Sequence, residues 1–151
     1  MKIILINNQA EMIKLAHEIA SDHKVKTIAL YGTLGVGKSF FAKHFINSLQ
    51  EEKEEILSPT FNITCSYNTR RGEVFHLDLY RLKNMWELEN IDFFSIIDQH
   101  LTLIEWPEIA EKYLPKNYLA IRITTIDPDN LKQELADNSQ RKIHLEYVTK
   151  L

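Results

Sequence analysis

Apolar and polar positions along the chain mark out a regular series of elements. Lys2 to Ile6 is a short apolar run that predicts a first strand. Asn7 or Asn8 then caps a helix reaching about Ala20, with Met12, Leu15, Ala16 and Ile19 on one face. Thr27 to Tyr31 reads as a second strand, and Phe41, Ala42, Phe45, Ile46 and Leu49 recur at helical spacing. The acidic run Glu51 to Glu55 is a solvated helix end or loop. After Ser58-Pro59-Thr60 the pattern changes to strict alternation. Phe61, Ile63, Cys65 and Tyr67 face one way, and Asn62, Thr64 and Ser66 the other. A turn cluster at 68–72 returns the chain as Val74 to Tyr80, completing a predicted hairpin. Its second strand places Phe75, Leu77 and Leu79 on one face and His76, Asp78 and Tyr80 opposite.

The second half is less regular. Residues 85–99 carry mixed helical signals, with Trp86, Leu88, Ile91, Phe94 and Ile97 as expected anchors. Leu101 to Ile104 is a strand closed by Glu105, and Pro107 stops its pairing before a short helix up to Pro115. Residues 117–126 and 141–148 form a final strand pair. The connection 127–140 is long for a hairpin, so a short helix or poor order is expected there.

Composition adds bounds. A chain of 151 residues, 44% hydrophobic and 26% charged, suits one soluble domain spanning 1–151. No apolar run approaches the roughly 18 residues needed to cross a membrane, and residues 1–6 are too short for a signal peptide. A cytoplasmic location without membrane contact is the expectation. Cys65 stands alone, so neither an internal disulfide nor a cysteine metal cluster is available. The net charge of −3 argues against broad nucleic-acid binding by this chain alone. Any RNA has to be held by a partner.

Glycine usage then points to chemistry. Only four glycines occur, and three of them, Gly32, Gly35 and Gly37, fall within the stretch Gly32-Thr33-Leu34-Gly35-Val36-Gly37-Lys38-Ser39. This matches the phosphate-binding pattern of a glycine, four residues, then Gly-Lys-Ser/Thr, between a strand and a helix. The glycines let successive N–H groups form a concave cradle, and the helix start adds unpaired N–H groups. Lys38 reaches the β- and γ-phosphates and Ser39 ligates Mg²⁺. The nucleotide-binding run is therefore Gly32, Gly35, Val36, Gly37, Lys38, Ser39 and Phe40.

Three further positions are candidates. Glu105, at the end of an apolar strand, is placed to orient Mg²⁺ or its water. Asp78 can bind a metal, act as a base or accept backbone hydrogen bonds; its spacing from His76 also raises zinc, but no further zinc-like ligand set accompanies it. His76 reads better as a structural, hydrogen-bonded histidine. Thr60 follows a proline, either as a nucleotide-sensing segment or as a turn before a strand. Trp106 either walls the site or packs in the core.

Four motifs in order, Gly32 to Ser39, Ser58-Pro59-Thr60-Phe61, His76-Leu77-Asp78-Leu79-Tyr80-Arg81-Leu82 and Glu105-Trp106-Pro107, resemble the TsaE family, formerly YjeE. They cover residues 1 to about 125. The resemblance implies an α/β, P-loop NTPase-like three-layer fold with a mixed, partly antiparallel central sheet. It also implies a Mg²⁺-dependent ATPase required for threonylcarbamoyladenosine at adenosine 37 of tRNAs that read codons beginning with adenine. TsaD and TsaB are the implied partners, with tRNA reached only through their complex. Under the resemblance, Lys38 holds phosphates, Ser39 and Glu105 bind Mg²⁺, and Thr60 belongs to the nucleotide-sensing segment. Asp78 and Trp106 fall in the site motifs. Two departures stand out. Met12 occupies the position where members commonly carry a Thr near the adenine, and 127–140 has no clear counterpart.

The other classes are a small-metabolite kinase and a nucleotide-gated binding module. A kinase commonly shields transfer with a basic lid, and the five arginines at 70, 71, 81, 122 and 141 form no such segment. The nearest arginine to a site motif is Arg81. A transition-state cation then comes from Arg81 repositioned or from a partner, or is missing.

Overall fold

Among the described residues there are seven strands, β1 (Lys2–Ile6), β2 (Thr27–Tyr31), β3 (Thr64–Thr69), β4 (Gly72–Asp78), β5 (Leu101–Glu105), β6 (Asn117–Thr125) and β7 (Arg141–Thr149). The same residues include four α-helices, α1 (Gln9–Ala20), α2 (Lys38–Leu49), α3 (Trp86–Asn90) and α4 (Phe93–Gln99), and a 3-10 helix over Pro107–Tyr113. The computed structural model describes residues 1–57, 59, 62–126 and 139–151. The strands form one sheet of order β1-β7-β6-β2-β5-β4-β3. β6, β2, β5 and β4 run parallel, while β7 pairs antiparallel with both β6 and β1, and β3 antiparallel with β4. The sheet is mixed, as the family resemblance implies.

Strand alternation divides the core into two layers. Ile28, Leu30, Leu103 and Ile121 face α1 and α2, where Met12, Leu15, Phe41 and Phe45 complete one cluster. Ala29, Tyr31, Leu77 and Ile104 face the other way, against Leu88, Phe93, Ile96 and Ala110. β2 and β5 are buried along their whole length, as parallel strands covered on both faces must be. α1 begins at Asn8, whose side chain accepts the Glu11 N–H at 2.9 Å. Burying Phe41 and Phe45 stabilises α2 on the sheet by roughly 1.5–3 kcal/mol each. The hairpin turn is tied to the same layer, since Arg71 donates to the carbonyls of Ala20 and Val25.

Two local expectations change. β3 starts at Thr64, because Ile63 has a positive φ of 45° that breaks the extended run; Phe61 lies outside the described residues. On β4, His76 is 1% exposed and hydrogen-bonded to Glu105. Within 85–99, Trp86 is 67% and Phe94 39% exposed, while Leu88, Phe93 and Ile96 are buried. The mixed signals resolve into two short helices, and Asp92, at φ 55°, resets the helical phase between them. Of the connection 127–140, residues 127–138 lie outside the described residues. Among the described residues no helix is long and apolar enough to cross a membrane.

Candidate nucleotide site

β2 delivers the chain to Gly32 at φ 146°. A Cβ there would meet the Ile123 carbonyl oxygen at 2.6 Å and Val36 Cγ1 at 2.7 Å, so only glycine lets the loop leave the sheet this close to β6. The loop turns into α2 at Gly37, which has φ 119° and supplies no side-chain cap. The first N–H groups of α2 thus have no intrahelical partner and no side-chain cap. Gly35, Gly37, Lys38, Ser39 and Phe40 form one wall of an open cleft of about 560 Å³. Leu34, Gln9, Asp78, Tyr80, Arg81, Glu105 and Trp106 complete it.

Lys38 is buried and bound to its own loop. Its Nζ donates to the carbonyls of Gly32 at 2.6 Å and Thr33 at 2.9 Å, and lies 4.0 Å from the Trp106 ring centroid. Burial lowers its pKa below the ordinary lysine range, while Glu105, Glu108 and Asp78 pull it back up. Ser39 Oγ donates to Glu105 Oε2 at 2.9 Å. Glu105 Oε1 lies 2.7 Å from His76 Nε2, and both side chains are almost wholly enclosed. The strand register puts Asp78 opposite Glu105. Burial is the main influence raising the Asp78 pKa; a hydrogen bond from the Tyr80 N–H opposes it, and the Glu105 charge adds to it.

Trp106 takes a left-handed backbone at φ 54°, immediately before Pro107. Non-glycine residues rarely adopt this conformation, at a cost of about 1–3 kcal/mol. The reversal swings the indole out of the sheet, against the Tyr80 ring at 4.7 Å and over the Lys38 ammonium. It walls the cleft instead of filling the core.

Of the residues singled out in the sequence, Gly35, Gly37, Lys38, Ser39, Phe40, Asp78, Glu105 and Trp106 meet at this cleft. Gly32 and Val36 stand behind it: Gly32 offers a carbonyl to Lys38, and the Val36 side chain is in the core. Thr60 lies outside the described residues. Met12, on the core face of α1, is fully buried, and Gln9 is the α1 residue on the cleft wall. His76 is hydrogen-bonded through one nitrogen only; among the described residues its Nδ1 is buried without a partner. No group of three or more His, Cys, Asp or Glu side chains capable of holding a metal occurs among the described residues.

The sequence reading missed Gln9, which lies on the cleft wall, and Arg141. Arg81 lines the cleft, but an arginine also reaches the loop: Arg141 Nε donates to the Val36 carbonyl at 3.0 Å across 105 positions of sequence. No local pattern marks it, because the contact exists only once β7 lies beside β6.

The oxygen set of Ser39, Glu105 and Asp78 suits a hard divalent cation such as Mg²⁺, and the uncapped helix start beside the glycine loop suits phosphate. The family model described as threonylcarbamoyl adenosine biosynthesis protein TsaE matches residues 6–135, a span that includes part of the connection for which no counterpart was apparent. The tRNA threonylcarbamoyladenosine biosynthesis protein TsaE of Rickettsia felis is 32% identical over 97% of this chain and 86% of its own length. Its namesake from Rickettsia bellii is 36% identical over 83% of this chain and 88% of its own. Among solved structures, Bacillus subtilis YdiB superposes with a TM-score of 0.71 at 27% identity, covering 97% of this chain and 85% of that one.

Proposed function

The chain belongs to the TsaE family of tRNA threonylcarbamoyladenosine biosynthesis, and on that premise we propose that it is a Mg²⁺-dependent ATP hydrolase working with TsaD and TsaB. The observation that carries the reading is the Ser39–Glu105 hydrogen bond at the mouth of the glycine loop. It joins the first turn of α2 to the end of β5, so that a hydroxyl and a carboxylate converge where the phosphate chain would lie.

Each residue has a role set by its surroundings. The N–H groups of the loop and of the α2 start bind phosphate oxygens, and Lys38 exchanges its carbonyl partners for them. Ser39 and Glu105 hold Mg²⁺, which neutralises charge on the phosphates when bound. His76, fixed against Oε1 of Glu105, orients that carboxylate. Asp78 is less enclosed, and its raised pKa suits a group that orients water or takes its proton. Trp106 and Tyr80 shield one side of the cleft. Location in the cytoplasm accompanies this role, and tRNA is reached through the partner complex.

ATP labelled at the γ-phosphate tests the reaction class. Label should pass to water, and faster with TsaD and TsaB than with the chain alone, together with multiple-turnover threonylcarbamoyladenosine formation. Label on a metabolite would identify a kinase. Label that stays on ATP under all conditions would identify a binding module.

A further inference from the structure

Arg141 opens β7 and is only 3% exposed. Its backbone is held on both sides, opposite Thr125 of β6 and Ile6 of β1. Its guanidinium donates from Nε to the Val36 carbonyl at 3.0 Å and from Nη1 to the Gln140 carbonyl at 3.1 Å. Val36 is itself anchored, since its side chain is 2% exposed in the core and its N–H donates to the Thr33 carbonyl. The descending limb of the glycine loop is thereby clamped at one residue from two directions. That residue lies between Gly35 and Gly37, whose positive φ values of 74° and 119° aim the neighbouring N–H groups.

The choice of arginine is informative. Among the described residues the only ion pair within 4.0 Å is His76–Glu105, so the guanidinium has carbonyl partners and no carboxylate. Burying a charge this way is costly, and a neutral amide would bond one carbonyl without that cost. Burial accordingly holds the Arg141 pKa below the ordinary arginine range, although the group stays charged. Such a charge is useful if negative charge arrives nearby, and the loop it grips is where a polyphosphate would sit.

We infer that Arg141 is a positioning residue of the nucleotide site: it fixes the Val36 carbonyl, and with it the neighbouring amides, and its charge supports a bound polyphosphate from behind the loop. The inference rests on the proposed nucleotide-binding function. Arg141→Met, Arg141→Gln and Arg141→Lys, made in the full chain, separate its parts. In the nucleotide-free protein, amide hydrogen exchange at residues 33–38 should rise on the order of tenfold in Arg141→Met and less in Arg141→Gln and Arg141→Lys, which keep a donor. Calorimetry with Mg-ATP should show Kd raised by about tenfold or more in the Met and Gln variants, with Arg141→Lys largely restored because the charge returns. A purely structural arginine would instead lower the melting temperature and leave the loop exchange and the Kd of the folded protein unchanged, which overturns the inference. If Arg141→Met does not fold, equal Kd values for the Gln and Lys variants and wild type have the same meaning. A wild-type chain that binds no Mg-ATP overturns both this inference and the proposed function. Wild-type binding matched by every variant overturns this inference alone.

Discussion

Asp78 and Glu105 are register partners on the parallel strands β4 and β5, and the two carboxylates differ in what holds them. Glu105 is 2% exposed and engaged at both oxygens, by Ser39 and by His76. Asp78 is partly exposed and held through one oxygen by the Tyr80 N–H. Neighbouring acids with different environments can divide the work of holding a cation and handling a proton.

Glu105→Gln should therefore lower ATP turnover by on the order of 10²-fold while leaving Mg-ATP affinity within a few-fold, since the shape persists and the charge is lost. Asp78→Asn should also slow turnover. Steady-state hydrolysis with TsaD and TsaB present is the measurement, and wild-type rates in both variants would refute the division of roles.

Lys38→Ala should weaken Mg-ATP binding by more than about 100-fold, because the cation facing the phosphates is gone. The unliganded fold should survive, since removing a buried ammonium also removes its desolvation cost. Calorimetry paired with a thermal melt checks both halves. Undiminished affinity in a folded variant would overturn the phosphate-loop assignment.

The loop glycines should differ in their tolerance. Gly32→Ala drives a Cβ into the Ile123 carbonyl and Val36, and should cost at least about 2 kcal/mol. Gly35→Ala meets nothing within 4 Å and suffers only its positive φ, about 1–2 kcal/mol. Urea unfolding of the two variants would expose an error if the smaller loss fell at Gly32.

Asp22 offers a pH test away from the cleft. Its carboxylate accepts from the Lys24 N–H at 3.0 Å and from the Tyr147 hydroxyl at 2.9 Å, and these bonds hold its pKa below the ordinary value of 3.8. A depressed folded pKa means stabilisation that is complete above the unfolded value and is lost as pH falls through the folded one. Asp22→Asn should lower the melting temperature at neutral pH, and the difference from wild type should shrink below 3.8. A gap that stays constant with pH would show that the charge contributes nothing.

The spacing of apolar residues made the first half of the chain readable. β1, α1, β2 and α2 lie where the apolar runs and their boundary residues place them, since Asn8 caps α1 and Gly32 ends β2. Periodicity failed where a single residue breaks the phase, at Ile63 before β3 and at Asp92 between α3 and α4. The loop, Asp78, Glu105 and Trp106 were visible as local motifs. Arg141 was not, since its meaning depends on a strand pairing between distant parts of the chain.

The grip of Lys38 on the Gly32 and Thr33 carbonyls sets an admission threshold for the loop. Any visitor must offer this ammonium more than two well-placed carbonyl oxygens and an indole face already provide. A neutral or weakly charged molecule cannot, whereas a polyphosphate can. Under the proposed function, the same carbonyls would take the lysine back once the polyphosphate is cleaved, so the loop would discriminate by charge before any contact with a base and favour departure of the products.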